Sequence, residues 1–115
     1  MVRVEKFIII LSIILFSCCN ISYAIESAAH KVEVAKCFGV IMTIKNNSEH
    51  EDNIIKANNI LELYLEKIIN LNIGSLMMKE MSDEAAIKTF SELLSHTPTH
   101  FDNLLNKCIA TLRIG

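Results

Sequence analysis

The sequence predicts an all-α domain, a small antiparallel bundle of four helices, after an N-terminal signal helix. Three observations carry this. Apolar residues recur at steps of three and four in four separate stretches, at about 26–44, 49–72, 82–95 and 98–113. With only 3 glycines and 1 proline in 115 residues, few positions interrupt a helix. The links between the stretches are short, which favours antiparallel neighbours.

The first segment, Met1 to Ala24, reads as a signal peptide. Arg3 and Lys6 form a basic start, weakened by Glu5. Phe7 to Phe16 is apolar except for Ser12, and Ser22-Tyr23-Ala24 places small residues where a signal peptidase inspects them. Cleavage after Ala24 is the simplest expectation. Two tethered alternatives compete. The leader could be retained as an anchor, although a spanning helix needs about 20 apolar residues and the clean run is half that. Alternatively, Leu15-Phe16-Ser17-Cys18 resembles a bacterial lipobox, in which Cys18 is acylated.

The remaining residues, 25–115, are expected to form a single helical domain. In the first helix, Ala28, Val32, Ala35, Phe38 and Met42 make one apolar row; Val34, Cys37, Ile41 and Ile44 make the next. Gly39 weakens the middle and can admit another helix. Asn46-Asn47-Ser48 breaks the pattern, and Ser48 with Glu51 reads as a capping box for the second helix. There, Ile54, Ala57, Leu61, Tyr64, Ile68 and Leu71 form the main stripe. Ile55, Ile60, Leu63, Leu65 and Ile69 widen it so far that this helix is expected to be central and heavily covered. Asp52 and Lys56 are spaced for an i,i+4 ion pair.

Asn72-Ile73-Gly74 ends the second helix, with Gly74 as a left-handed cap. Ser75 to Met81 is either a helical turn or a link. Ser82 is expected to cap the third helix, whose inner face is Ala86, Ile87, Phe90, Leu93 and Leu94, with Glu84 and Lys88 paired. Thr97 or Thr99 caps the fourth, with Pro98 in its first turn. Phe101, Leu104, Leu105, Cys108, Ile109 and Leu112 form the clearest stripe in the chain.

Removing Met1–Ala24 takes away Arg3, Lys6 and Glu5 and leaves a formal charge of −3. That mildly acidic, unsegregated balance gives no basic patch for a nucleic acid. Of 4 cysteines, Cys18 and Cys19 fall in the leader, and Cys37 and Cys108 remain. An even pair in a small exported domain favours a disulfide, closing a 71-residue span. The layout is similar to that of small exported bacterial proteins with one cysteine in the first helix and one in the last. That resemblance is compositional and implies no activity.

The sequence holds no phosphate loop, CxxC, HExxH or nucleophile elbow. Pro98 keeps His96 and His100 off a common helical face, although they could converge across a turn with His30 or a carboxylate. No catalytic, cofactor-binding or metal-binding residues are assigned, and no cofactor is expected. Met77, Met78, Met81 and Phe90 are the candidates for an apolar groove. The expected function is a non-enzymatic interaction or structural protein, exported to the periplasm or secreted. It would act on a protein partner, or on itself, through apolar helix faces. The alternatives are a binder of a small apolar ligand and a lipoprotein-like accessory protein. Membrane contact is expected only if the leader is retained or Cys18 is acylated.

Overall fold

The structure, a computed structural model, describes residues 27–114. Helix α1 covers 27–47, α2 Glu51–Leu71, α3 Ser75–Leu93 and α4 Pro98–Leu112. Residues 31–114 make one packed unit, and 27–30 are the first turn of α1. Among the described residues there are four helices and no strand, as the apolar periodicity predicts. The leader, its cleavage after Ala24 and the acylation of Cys18 lie outside the described residues.

The core is built by three helices. Val34, Cys37, Ile41 and Ile44 of α1 meet Ala57, Ile60 and Tyr64 of α2 and Phe101, Leu105 and Cys108 of α4. Most of α1's contribution comes from the second of its two predicted rows. In the first row only Ala35 is buried, while Phe38 and Met42 are half-buried. Fully burying an aliphatic or aromatic side chain of this kind contributes about 1.5–3 kcal/mol. The α4 stripe is as expected, with Leu104, Ile109 and Leu112 packed round its buried members.

Polar groups fix the register. Tyr64, fully buried, donates its phenol proton to the Cys108 carbonyl at 2.5 Å. Buried Asn53 reaches the Pro98 carbonyl at 3.3 Å, tying the start of α2 to the start of α4. Lys56 bonds Asp102 at 2.5 Å and Asn106 at 2.6 Å, so its partner lies on α4 and not one turn back at Asp52. These pairings show that α2 and α4 run in the same direction. Cys37 and Cys108 stand in disulfide geometry with Cα atoms 5.6 Å apart, between antiparallel α1 and α4.

Two helix ends differ from expectation. Ser48 does not form the capping box: its Oγ accepts from the His50 N–H at 3.1 Å, and His50 is the N-cap of α2. The reason is that α1 runs on to residue 47 and holds Ser48 through a bond from its N–H to the Ile44 carbonyl at 3.0 Å. At the far end of α2 the left-handed residue is Asn72, at φ 52° and ψ 50°, not Gly74. Its N–H meets the Ile69 carbonyl and the Ile73 N–H meets that of Ile68, the Schellman pattern, with Ile73 packed on the core. Gly74, extended, is then free to be the N-cap of α3.

Helix α3 therefore starts at Ser75, seven residues before Ser82. Ser82 lies inside it and bonds back to the Met78 carbonyl, the usual way a mid-helix serine satisfies its hydroxyl. Helix α3 is the outer member of the bundle. It approaches α1 where Gly39 faces the Ser82 backbone, and Leu93 touches the edge of the core. The expectation that α2 is the most covered helix is corrected: Ile55 and Ile69 are 50% and 76% exposed, and α1 is the most deeply buried. Most of the widening residues of α2 face away from α1 and α4, because two neighbours can cover only part of a helix's circumference.

Candidate functional site

The third helix turns an unexpected face inward. Its one fully buried side chain is Thr89, whose hydroxyl is satisfied by the Ala85 carbonyl at 2.8 Å. Ile87, Phe90 and Leu94, predicted as inner-face residues, are 73%, 54% and 90% exposed. The cause is the close approach at Gly39. Seating Ser82 against α1 also brings Ala85 and Thr89, at the following turns, against the core, and rotates the larger apolar groups outward. Ile87, Phe90 and Leu94 then stand at i, i+3 and i+7, a ridge along the second half of α3 that ends on its C-cap residue, Leu94. Leu76, 69% exposed, continues the same outward side about three turns before Ile87.

Hollows flank this ridge. One of about 330 Å³ is lined by Thr43, Asn47, Ala86, Ile87 and Phe90. Another of about 270 Å³ is formed by residues 47–50 with Phe90, Leu93 and Leu94. Phe90 borders both. The ridge and its hollows thus join the second half of α3 to the end of α1 and the α1–α2 turn.

Met77, Met78 and Met81 are half-buried on the first half of α3. They line neither hollow, and Met81 lies nine residues, about 13 Å of helix rise, before Phe90. Phe90 belongs with Ile87 and Leu94 instead. Cys37 and Cys108 are brought together, with Cys37 on α1 and Cys108 on α4 both inside the core.

The histidines do converge in part. His96 and His100 rings are 4.2 Å apart, and His100 Nε2 lies 2.6 Å from Glu92 Oε2. His96 Nδ1 is 3.2 Å from the Glu92 carbonyl. Three residues from the end of α3, the turn and the start of α4 thus interlock across Pro98. Among the described residues no group of three or more His, Cys, Asp or Glu is arranged to hold a metal ion.

Among the described residues Tyr64 is the side chain with a clear shift in acidity. Burial away from water holds its phenol well above the ordinary tyrosine range; the Thr111 hydroxyl pulls it partly back, and the Glu33 charge adds to the rise. A phenol held protonated beside the cystine is a structural donor. It lies inside the core and lines neither hollow.

Sequence reasoning finds the exposed aliphatic groups but not their exposure. It misses Asn53 and the bond from Tyr64 to Cys108, which depend on partners 45 and 44 residues away. No protein-family model matches the chain, and no curated protein or solved structure is significantly similar to it.

Proposed function

We propose that the protein works outside the cytoplasm as a non-enzymatic interaction module, and that the ridge of Ile87, Phe90 and Leu94 on α3 is its docking surface. The observation that carries this is the orientation of α3, which buries Thr89 and presents three large apolar side chains to water. Single exposed apolar residues are ordinary; a spaced row flanked by hollows marks a contact surface. Each of the three contributes about 1.5–3 kcal/mol if a partner covers it fully. The export part of the reading is supported by the leader pattern and by the Cys37–Cys108 pairing, which suits an oxidising compartment. No helix of the described residues is long and apolar enough to cross a membrane.

The test places a photo-reactive residue at Leu94 in the natively processed protein. The expected result is one discrete cross-linked species that disappears when Ile87→Glu is added. A protein that sediments as a strict monomer and yields no discrete cross-link would refute the reading. Intact-mass measurement of the same material checks the leader: an N-terminus at Ile25 supports free export, and acylated Cys18 supports the tethered form.

A further inference from the structure

On another side of the bundle, α1, α3 and α4 enclose an open groove of about 470 Å³. That volume lies within the range of small-molecule sites, about 300–1,000 Å³. Its floor is apolar, from Val40 of α1, Leu104 of α4 and Ala85 of α3. Its rim carries Lys36, Lys88 and Lys107, one from each helix. The concentration of cations runs against the chain's net charge of −2.

The staple explains why two of these lysines meet. Lys36 and Lys107 each immediately precede a cysteine of the pair, whose Cα atoms are 5.6 Å apart. The pairing that closes the core therefore sets two like charges side by side at one end of the groove. Neither ion pair of the described residues uses Lys36, Lys88 or Lys107. Two carboxylates also line the groove. Glu92 is engaged by His100 at its far end, and Glu84 stands one turn before Lys88 without closing an ion pair with it. At the Lys36–Lys107 end those two lysines outnumber Glu84, and Lys88 adds a third positive charge one turn along α3. From the level of His100 to that of Lys107 the floor runs about 10 Å along α4.

We infer that this groove binds a single-chain amphipathic anion, an alkyl carboxylate or alkyl phosphate. Its head sits among Lys36, Lys88 and Lys107, and its tail lies on Val40 and Leu104. An apolar ligand alone would leave the lysine cluster unanswered, and a bare anion would leave the apolar floor wet. Only a ligand with both ends matches the groove along its length. The lysine stems add to the apolar lining while their ammonium groups stay at the rim. This site is separate from the α3 ridge and does not rest on its role.

The test titrates the natively processed protein with decanoate and with decyl phosphate, each below its micelle-forming concentration. Decanol and inorganic phosphate serve as controls. Binding is followed by calorimetry and by amide chemical shifts. Saturable 1:1 binding of either decyl anion is expected, with shifts centred on residues 36–40, 85–89 and 104–107. Decanol and phosphate should each bind at least tenfold more weakly. The double variant Lys36→Gln/Lys107→Gln should weaken the decyl anion at least tenfold and leave decanol unchanged. Both lysines sit outside the core, so the melting temperature of this variant reports whether the fold is intact. Should it fail to fold, Lys88→Gln on α3 provides the same comparison. Absence of saturable binding, equal binding of decanol, equal binding of phosphate, or shifts centred on Ile87, Phe90 and Leu94 would each overturn the inference.

Discussion

Gly39→Ala separates two accounts of one residue. In an exposed helix interior, replacing glycine by alanine stabilises by about 1 kcal/mol, because it removes backbone entropy from the unfolded chain. For a domain of this size that gain would raise the melting temperature by about 4–8 °C. The structure predicts the opposite sign. A Cβ at Gly39 would lie 2.9 Å from both the carbonyl carbon and the Cα of Ser82, and closer still to the Ser82 oxygen. Ordinary contact begins near 3.4 Å, so the helices must part by about half an ångström at the carbons and by more at the oxygen. These are backbone atoms with no rotamer to swing aside, so α3 has to move as a body. Overpacking of this kind costs about 1–3 kcal/mol, which outweighs the propensity gain. At the middle of that range the net loss is about 1 kcal/mol, so the expected result is a fall in melting temperature of about 4–8 °C by circular dichroism, with faster proteolysis of α3. Gly74→Ala is the control: nothing lies within 4 Å of its added Cβ and its backbone is extended, so the change should stay within about 1 kcal/mol. A Gly39→Ala protein that melts higher than the parent would refute the close approach, and with it the orientation of α3 that exposes the ridge.

Other outcomes follow from the same contacts. Cys37→Ser/Cys108→Ser should lower the unfolding free energy by up to about 4 kcal/mol, the loop-entropy value for a 71-residue separation; equal denaturant midpoints with and without reductant would show that the pair does not staple the chain. Tyr64→Phe should cost about 1 kcal/mol through the lost bond to the Cys108 carbonyl, read from denaturant melts. Because burial raises the folded-state pKa of Tyr64, its stabilisation is complete below the unfolded value near 10 and is lost as pH rises above it. The difference between parent and Tyr64→Phe should therefore shrink above pH ~10 in pH-resolved melts. Asn72→Ala should cost about 1 kcal/mol, since alanine tolerates the left-handed backbone less well than asparagine; a neutral effect would argue against the Schellman end of α2.

Much of the bundle is legible in the residue pattern. The stripe of α4 is predicted nearly residue for residue, because its apolar groups occupy a narrow arc with polar groups elsewhere. In α1 two adjacent rows are both plausible, and only the position of α4, held through Cys37, selects Val34, Cys37, Ile41 and Ile44. The start of α3 is misplaced because Ser82 has the chemistry of an N-cap, and the same hydroxyl can equally bond back within a helix. Its face is misplaced for a related reason. Size and hydrophobicity favour Ile87, Phe90 and Leu94 as inner residues, but the small side chains of Ala85 and Thr89 let the helix sit close to α1. The groove is the least legible feature. Its three lysines are separated by 52 and 19 positions, and in sequence each is an unremarkable charged surface residue.

By itself, the sequence determined the number of helices, their approximate extents, the α4 face and the cysteine pair available for a staple. These follow from local periodicity and composition, which each segment carries without its neighbours. Only the tertiary structure decided which row of α1 is buried, which way α3 faces, and that Lys36 and Lys107 stand together over an apolar floor. Burial and charge clustering are properties of what packs alongside. Here the steric gap at Gly39 and the cystine between α1 and α4 choose the neighbours.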